Sequence, residues 1–212
     1  MTDDRKQKKM SEETEAIAKR YEGLKTLVNS LSNNERKNSL MNMIEGDIGI
    51  KFVTTSASRR ISHHNCYPGG LYDHSISVVG YLNLLNKTLI KNENERYSRD
   101  EIIMVGLFHD LGKVGNLDQD YYEPQVSDWH REKLGELYIY NENMPYLHHS
   151  ERSVWILNHF GVSLSEIETQ AILYHDMLYI PKGEMIKYKE DRLTILLHFA
   201  DLYDAKFGSS KR

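Results

Sequence analysis

The chain of 212 residues carries 27 basic and 31 acidic side chains, and 40% of its residues are hydrophobic, as expected for one soluble globular domain. The single cysteine excludes an intrachain disulfide, and the formal net charge of −4 argues against non-specific coating of nucleic acid. We expect neither a membrane span nor a signal peptide, because the longest apolar stretch, Ile102–Phe108, is short and the start of the chain is charged.

The first third of the chain predicts two helices, a loop and the start of a third helix. Residues 1–10 are charged and polar, and we interpret them as a solvated tail. A helix is expected over 11–31, where the serine at its start can act as N-cap, and a second over 35–44, ended by the glycines that follow it. The polar segment 54–70 ends in Pro-Gly-Gly, which predicts a loop leading into a helix over 71–91.

The rest of the chain predicts four further helices and one irregular excursion. The helices are expected from Asp100 to about Gly112, from Glu151 to Phe160, from Ser165 to about Leu178 and from Asp191 to about Ala205. Residues 115–140 are rich in aromatic side chains and contain a proline, which indicates an excursion, with a short hairpin as one form of it. The pattern as a whole predicts an all-α helical bundle with a short irregular or hairpin excursion around 115–140.

The ten histidines are unevenly placed, and several of them lie in or beside apolar helical segments together with an aspartate. These positions are His74, the pair His109-Asp110, His149, the pair His175-Asp176, and Asp201. A buried charge is costly unless it is paired or bound to a metal, and imidazole with carboxylate suits a divalent first-row metal. Taken singly, such a histidine is more often a hydrogen-bonded core residue, so the joint pattern is what favours a metal site within a helical bundle.

The segments around these residues resemble the sequence boxes of the HD superfamily of metal-dependent phosphohydrolases. Residues 68–75 (PGGLYDHS) resemble its Gly-Gly-Leu-x-x-His-Ser/Thr block, and residues 109–113 (HDLGK) resemble its His-Asp-Ile/Leu-Gly-Lys box. Residues 149–153 (HSERS) are similar to a His-x-Glu-Lys/Arg-Ser box of phage- and prophage-type members. Residues 171–175 and 200–201 resemble the two closing blocks.

The resemblance implies an HD phosphohydrolase domain over 55–207, with N-terminal helices of 1–54 packed on it in a single globular unit. It also implies two divalent metal ions. The first would be bound by His74, His109, Asp110 and Asp201, and the second by the shared Asp110 with His149 and His175. The role of Asp176 stays open, and so does the metal, which would be Mn, Fe, Co, Ni, Zn or Mg.

The activity implied by the resemblance is hydrolysis of a phosphate ester or anhydride bond by a hydroxide that bridges the metals. The substrate would be a nucleotide or a small nucleotide-like molecule. Asp110 and Lys113 are the candidate catalytic residues, and Lys113 would offset charge in the transition state. The candidate substrate-binding residues are Arg59, Arg60, His64, Lys113 and Arg152. The alternatives are a solvated loop for 59–64 and an ion pair for Arg152.

Two other functions stay open at this point. One is a phosphodiesterase or nuclease acting on cyclic dinucleotides or single-stranded nucleic-acid ends, and the other is a non-catalytic metal- or nucleotide-binding regulatory module. The net charge of −4 favours a small phosphorylated substrate as partner, with nucleic acid as the second choice. The expected location is the cytoplasm of a bacterium or of a phage-infected host, without membrane contact, and a homo-oligomer stays open.

Overall fold

The computed structural model describes residues 3–177 and 181–208 of the chain. The α-helices of this part are α1 (Asp3–Asn29), α2 (Asn34–Ile44), α3 (Asp47–Thr54), α4 (Gly70–Leu89), α5 (Arg99–Phe108), α6 (Asp128–Leu134), α7 (His149–His159), α8 (Glu166–Tyr174) and α9 (Arg192–Phe207). The strands are β1 (Tyr122–Pro124) and β2 (Tyr138–Tyr140). The predicted all-α class with a short excursion is confirmed. Among the described residues, no helix combines the length and the apolar character needed to cross a membrane.

Helical structure at the start of the chain extends further than the sequence pattern predicts. α1 begins at Asp3, so the interpretation of 1–10 as a tail is wrong from that residue onward. Lysine, arginine, glutamine and methionine make up residues 5–10 of this segment, and all four have high helix propensity. The pattern also misses α3, because Gly46, taken to end α2, is the N-cap of α3 and Gly49 lies inside it.

Other helix ends differ from the predictions by a few residues. Ser98, and not Asp100, caps α5 and forms a capping box with Glu101. The predicted caps at Ser165 for α8 and at Asp191 for α9 are confirmed. α7 begins at His149, before the predicted start at Glu151. α8 ends at Tyr174, and its predicted end near Leu178 lies outside the described residues.

α5 lies at the centre of the bundle. All seven residues from Ile102 to Phe108 are buried, and a helix that is apolar around its whole circumference must be covered on all sides. α4 and α8 pack against α5, α9 packs against both of these helices, and α7 packs against α8. A 3-10 turn over Leu111–Val114 follows α5 and packs on α7. The C-terminal end of α5 is therefore enclosed by α4, α7, α8 and α9.

The N-terminal helices pack on this bundle through apolar contacts and two paired charges. Leu24 and Val28 of α1 belong to the common hydrophobic core. The guanidinium of Arg20 donates two hydrogen bonds to the Asp73 carboxylate of α4, at 3.0 and 2.9 Å. A second bidentate pair, between Arg36 and the buried Glu168, joins α2 to α8. The domain boundary between residues 54 and 55 stays a prediction.

The excursion consists of β1, α6 and β2. The two strands pair antiparallel, with Tyr122 opposite Tyr140 and Pro124 opposite Tyr138, so α6 lies within the connection of a hairpin. Buried Glu136, which precedes β2, accepts hydrogen bonds from Arg59 at 2.9 Å and from Arg60 at 3.3 Å. These bonds hold the excursion against the loop that leads into α4.

Candidate metal centre

Two histidine–aspartate pairs end their helices in the same way. His109 is the C-cap of α5, and His175 is the C-cap of α8. Their Nδ1 atoms lie 3.0 and 2.8 Å from the backbone carbonyl oxygen three residues earlier. A ring that donates from Nδ1 keeps Nε2 as its free ligand atom, and both Nε2 atoms face the space enclosed at the end of α5. The aspartates that follow, Asp110 and Asp176, face the same space.

The first cluster joins the end of α5 to α4 and α9. Nε2 of His74 lies 3.3 Å from Nε2 of His109 and 3.1 Å from Oδ1 of Asp201. Oδ2 of Asp110 lies 3.6 Å from Nε2 of both histidines. Both histidines are fully buried. Four ligand atoms from three segments of the chain thus surround one point.

The glycine pair before α4 allows the helix to bring His74 to this point. Gly69 has a φ of 85°, in the left-handed region that favours glycine. A Cβ at Gly70 would collide with the backbone carbonyl of Asn65. The two glycines of the predicted block therefore permit a tight entry into α4, one by its backbone conformation and the other by its lack of a side chain.

The second cluster uses the other oxygen of Asp110. Oδ1 of Asp110 lies 3.2 Å from Nε2 of His149 and 3.5 Å from Nε2 of His175. Oδ2 of Asp176 lies 3.0 and 3.6 Å from the same two nitrogens. The nitrogens are 3.4 Å apart. Asp110 thus directs one carboxylate oxygen at each cluster, and Asp176, whose role the sequence leaves open, belongs to the second.

These residues fit divalent cations. Ligand atoms bound at ~2.1 Å lie roughly 3.0 Å apart in an octahedral shell and roughly 3.4 Å apart in a tetrahedral one. Nearest neighbours in both clusters are separated by 3.0–3.6 Å. Oδ1 of Asp110 is buried and has no hydrogen-bond partner among the described residues, as expected of a ligand atom. The described chain therefore contains buried histidine and aspartate groups that could hold metal ions.

The electrostatics of the centre favour bound positive charge. Burial raises the pKa of the Asp176 carboxyl, but His175 and His149 outweigh burial and lower it below its ordinary value. Burial lowers the pKa of His74, but its bonds to Asp201 and Asp204 more than reverse this and raise the pKa to about 9. Burial dominates at His109 and lowers its pKa to about 4. The carboxylates are thus ionised at neutral pH and attract a proton or a metal cation.

Two further predicted residues line the cavity, of about 480 Å³, onto which both clusters open. Nζ of Lys113 lies 2.5 Å from Oδ2 of Asp110. Burial lowers the pKa of Lys113, but Asp110 raises it above its ordinary value, so the ammonium stays charged. The ring of His64 lies 4.6 Å from that of His74, and burial holds the pKa of His64 well below its ordinary value. The wall thus offers one cation and one neutral imidazole.

The three predicted substrate-binding arginines do not line this cavity. Arg59 and Arg60 pair with Glu136, and the Arg59 guanidinium lies 4.3 Å from the centre of the Tyr140 ring. Both arginines thus have a structural role, and their contact with a substrate stays a prediction. Arg152 is buried and faces a neighbouring cavity that also touches His149.

Asp204 is a residue of the centre that the sequence reasoning misses. Its Oδ2 lies 2.7 Å from Nδ1 of His74, and the side chain is buried in α9. A carboxylate in this position fixes the ring orientation of a ligand histidine and increases its basicity. The available signal is its spacing, since Asp204 follows Asp201 by three residues and so lies on the same face of a helix.

Asp204→Asn is expected to weaken metal binding at the first cluster by about 10–100-fold, because an amide accepts the His74 proton less strongly than a carboxylate. Metal affinity measured by competition with a chelator checks this. The control is Asp47→Asn, which changes an exposed aspartate at the start of α3 and should leave the affinity unchanged. Unchanged affinity in Asp204→Asn would show that the carboxylate does not tune the ligand.

The described structure brings six predicted ligands together, namely His74, His109, Asp110, His149, His175 and Asp201, and adds Asp176 and Asp204. Comparison of the chain with protein-family models, with curated proteins and with solved structures gives no match.

Proposed function

We propose that the chain is a metal-dependent phosphohydrolase of the HD superfamily that binds two divalent cations side by side. The observation that carries the proposal is the orientation of Asp110. Its Oδ2 lies 3.6 Å from Nε2 of His74 and His109, while its Oδ1 lies 3.2 Å from Nε2 of His149. One carboxylate directed at two ligand clusters could contact a cation in each of them, as in sites that hold two neighbouring metal ions.

The two clusters divide the ligands between them. His74, His109 and Asp201 would hold the first cation, His149, His175 and Asp176 the second, and Asp110 would contact both. When bound, two neighbouring divalent cations lower the pKa of a coordinated water and neutralise charge on a phosphoryl group. The protein supplies the enclosed site and the hydrogen bonds at Nδ1 of His74, His109 and His175 that keep these three rings in place.

Lys113 and His64 are the side chains placed to contact a phosphoryl group at this centre. The Lys113 ammonium has three donors, and Asp110 takes one of them at 2.5 Å. A remaining donor can bind a phosphoryl oxygen and offset the charge that develops during transfer. Nε2 of His64 is buried and has no hydrogen-bond partner within the described chain, so it can donate to or accept from a substrate oxygen.

The size and charge of the surroundings support a small substrate. A cavity of about 480 Å³ lies in the range of roughly 300–1,000 Å³ typical of small-molecule sites. A nuclease that follows a strand needs a long positive groove, and here Arg59 and Arg60 are both paired with Glu136. The proposed substrate is therefore a nucleotide or a similar small phosphate ester or anhydride.

The experiment that tests this function is a competition assay at fixed metal, with Mn, Fe, Co, Ni, Zn and Mg each supplied to the purified protein. We expect faster turnover of a mononucleotide or dinucleotide than of a single-stranded RNA oligonucleotide, with little dependence on salt. Degradation of the strand with mononucleotides untouched would favour the nuclease alternative. No hydrolysis with any of the six metals would favour the regulatory module.

The number of metal ions provides a separate prediction. Titration of the metal-free protein should reach about two ions per chain, because Asp110 serves two clusters. The double variant His149→Ala/His175→Ala should bind about one, since it keeps His74, His109 and Asp201. Elemental analysis after dialysis measures this directly.

A matched control removes two histidines outside the centre, His130 and His159, and should keep the parental stoichiometry. One ion per chain in the parent at saturating metal would refute the two-metal proposal. Two ions in the His149→Ala/His175→Ala variant would show that the second cluster is not a metal site.

A further inference from the structure

A second cavity, of about 420 Å³, lies beside the metal centre. It is enclosed by the two-stranded sheet, the segment 141–148 and the start of α7. His149 and Tyr140 line both this cavity and the one on which the clusters open, so the two cavities are neighbours. A molecule with its phosphate at the metal centre would pass these two side chains to reach the second cavity.

Arg152 lies in the wall of this second cavity with an unused hydrogen-bond donor. Only 3% of its surface is exposed, and its Nη2 donates to the backbone oxygen of Pro145 at 3.0 Å. Its Nε is buried and has no partner among the residues that the structure describes. Within the same residues it forms no ion pair with a carboxylate. A buried N–H without a partner is costly, and a ligand acceptor that reached this N–H would remove that cost.

Tyrosine rings form much of the remaining wall. The Tyr121 ring lies 5.9 Å from the Arg152 guanidinium carbon and 5.2 Å from the Tyr140 ring. Tyr146 stands at the rim with 88% of its surface exposed. Aromatic faces beside a guanidinium form a surface on which a planar heterocycle can stack, while an acceptor on its edge meets the free donor.

We propose that this second cavity binds the base of a nucleotide whose phosphate lies at the metal centre. The proposal rests on the proposed function and names the part of the substrate that the metals do not contact. A base is favoured over a second phosphate because Met144, Pro145 and Leu147 make the walls largely apolar. The carboxylate of Glu142, which also lines the cavity, would repel a second anion.

The test compares nucleoside 5′-monophosphates with ribose 5-phosphate, which carries the same phosphate and sugar but no base. Equilibrium binding is measured by calorimetry on the metal-free protein, so that the nucleotides are not hydrolysed during the titration. We expect at least one of AMP, GMP, CMP and UMP to bind about tenfold more tightly than ribose 5-phosphate. Equal affinity of all five ligands would overturn the proposal.

Two variants test whether the tighter binding of a nucleotide depends on the second cavity. Tyr146→Ala removes an exposed ring that the fold does not need, and it should weaken nucleotide binding about tenfold without changing ribose 5-phosphate binding. The matched control is Tyr188→Ala, at a tyrosine that is 89% exposed and lies outside both cavities. Arg152→Lys keeps the charge but loses the planar fork, and it should change the ranking of the four bases.

Hydrolysis of p-nitrophenyl phosphate and of bis(p-nitrophenyl) phosphate is recorded in parallel. It separates the phosphohydrolase proposal from the proposal that the second cavity binds a base. Hydrolysis of these esters together with base-independent binding would leave the proposed function standing and overturn the base subsite. Base-dependent binding that is sensitive to Tyr146→Ala, without hydrolysis of any ester, would support the subsite and contradict the phosphohydrolase. Tighter binding of a nucleoside diphosphate with no response to Tyr146→Ala would assign the cavity to a second phosphate and overturn the base proposal.

Discussion

Asp110→Asn is expected to remove bound metal and catalytic activity together. The amide keeps one oxygen, so only one cluster can retain a ligand atom, and the NH₂ group of the other arm would face ring nitrogens at 3.2–3.6 Å. Residues that merely support metal ligands change affinity or activity by about 10–100-fold when mutated, so loss of the bridging ligand should exceed ~100-fold in turnover. Metal content and phosphatase rate, measured on the same preparation, check this.

The folded state should survive this change, because asparagine has nearly the same shape as aspartate and is less costly to bury. Circular dichroism verifies that the helices are retained. The control is Asp118→Asn, an exposed aspartate in the loop after the turn Leu111–Val114, which should keep both metal and activity. Full occupancy and normal turnover in Asp110→Asn would contradict the role given to this carboxylate.

Gly112→Ala is expected to disrupt the second cluster without touching a ligand. Gly112 lies in the turn after Asp110, where α7 passes so closely that a Cβ would lie 2.8 Å from Cβ of Arg152 and 2.9 Å from the carbonyl carbon of His149. These are parts of a helix that cannot swing aside as a flexible side chain can. α7 must therefore move, and His149 with it. Overpacking of this kind costs about 1–3 kcal/mol of stability.

The backbone conformation at Gly112 is not the obstacle, since its φ is not among the positive values of the chain. Ser153 strengthens the same contact, because its hydroxyl accepts from the Gly112 N–H and donates to the carbonyl oxygen of His109, both at 2.8 Å. We therefore expect Gly112→Ala to lower the metal stoichiometry toward one and to reduce turnover strongly. Thermal unfolding and metal titration measure the two effects.

Gly80→Ala is the matched control for this substitution. Gly80 lies inside α4, and a Cβ there would meet no atom within 4 Å. Alanine has a higher helix propensity than glycine by about 1 kcal/mol, so this variant should be as stable as the parent or more stable. A Gly112→Ala variant that behaves like Gly80→Ala would show that α7 is free to adjust and that the close approach is not required.

The residues of the first cluster could be identified from the sequence because their signals are local. An apolar run followed by His109-Asp110 predicts a buried helix with its polar pair at one end, and the structure places the pair there. The glycine pair before α4 predicts a tight turn ahead of His74. In both cases the backbone conformation and the burial of one short segment determine where the side chain is placed.

Other assignments depended on partners distant in the sequence. The phosphate contacts predicted for Arg59 and Arg60 are inferred without Glu136, which lies 77 residues after Arg59 and accepts hydrogen bonds from both arginines in the structure. The sequence does not indicate the contact of Asp204 with the centre, because its partner, Nδ1 of His74, is 130 residues away. A lone charged residue on a helix has the same sequence pattern whether solvent or a distant partner surrounds it.

The sequence by itself determined the helical class, the order of the polar boxes and six of the residues that meet at the centre, because periodicity and adjacent pairs are properties of short segments. Only the tertiary structure decided that Asp110 directs its two oxygens at different clusters and that Asp176 joins the second. Only the tertiary structure also placed Arg152, whose Nε has no hydrogen-bond partner in the described part of the chain, in a tyrosine-lined cavity beside them. The orientation of a carboxylate and the partner of a buried guanidinium depend on how α5, α7, α8 and α9 pack, and such packing is absent from any single segment.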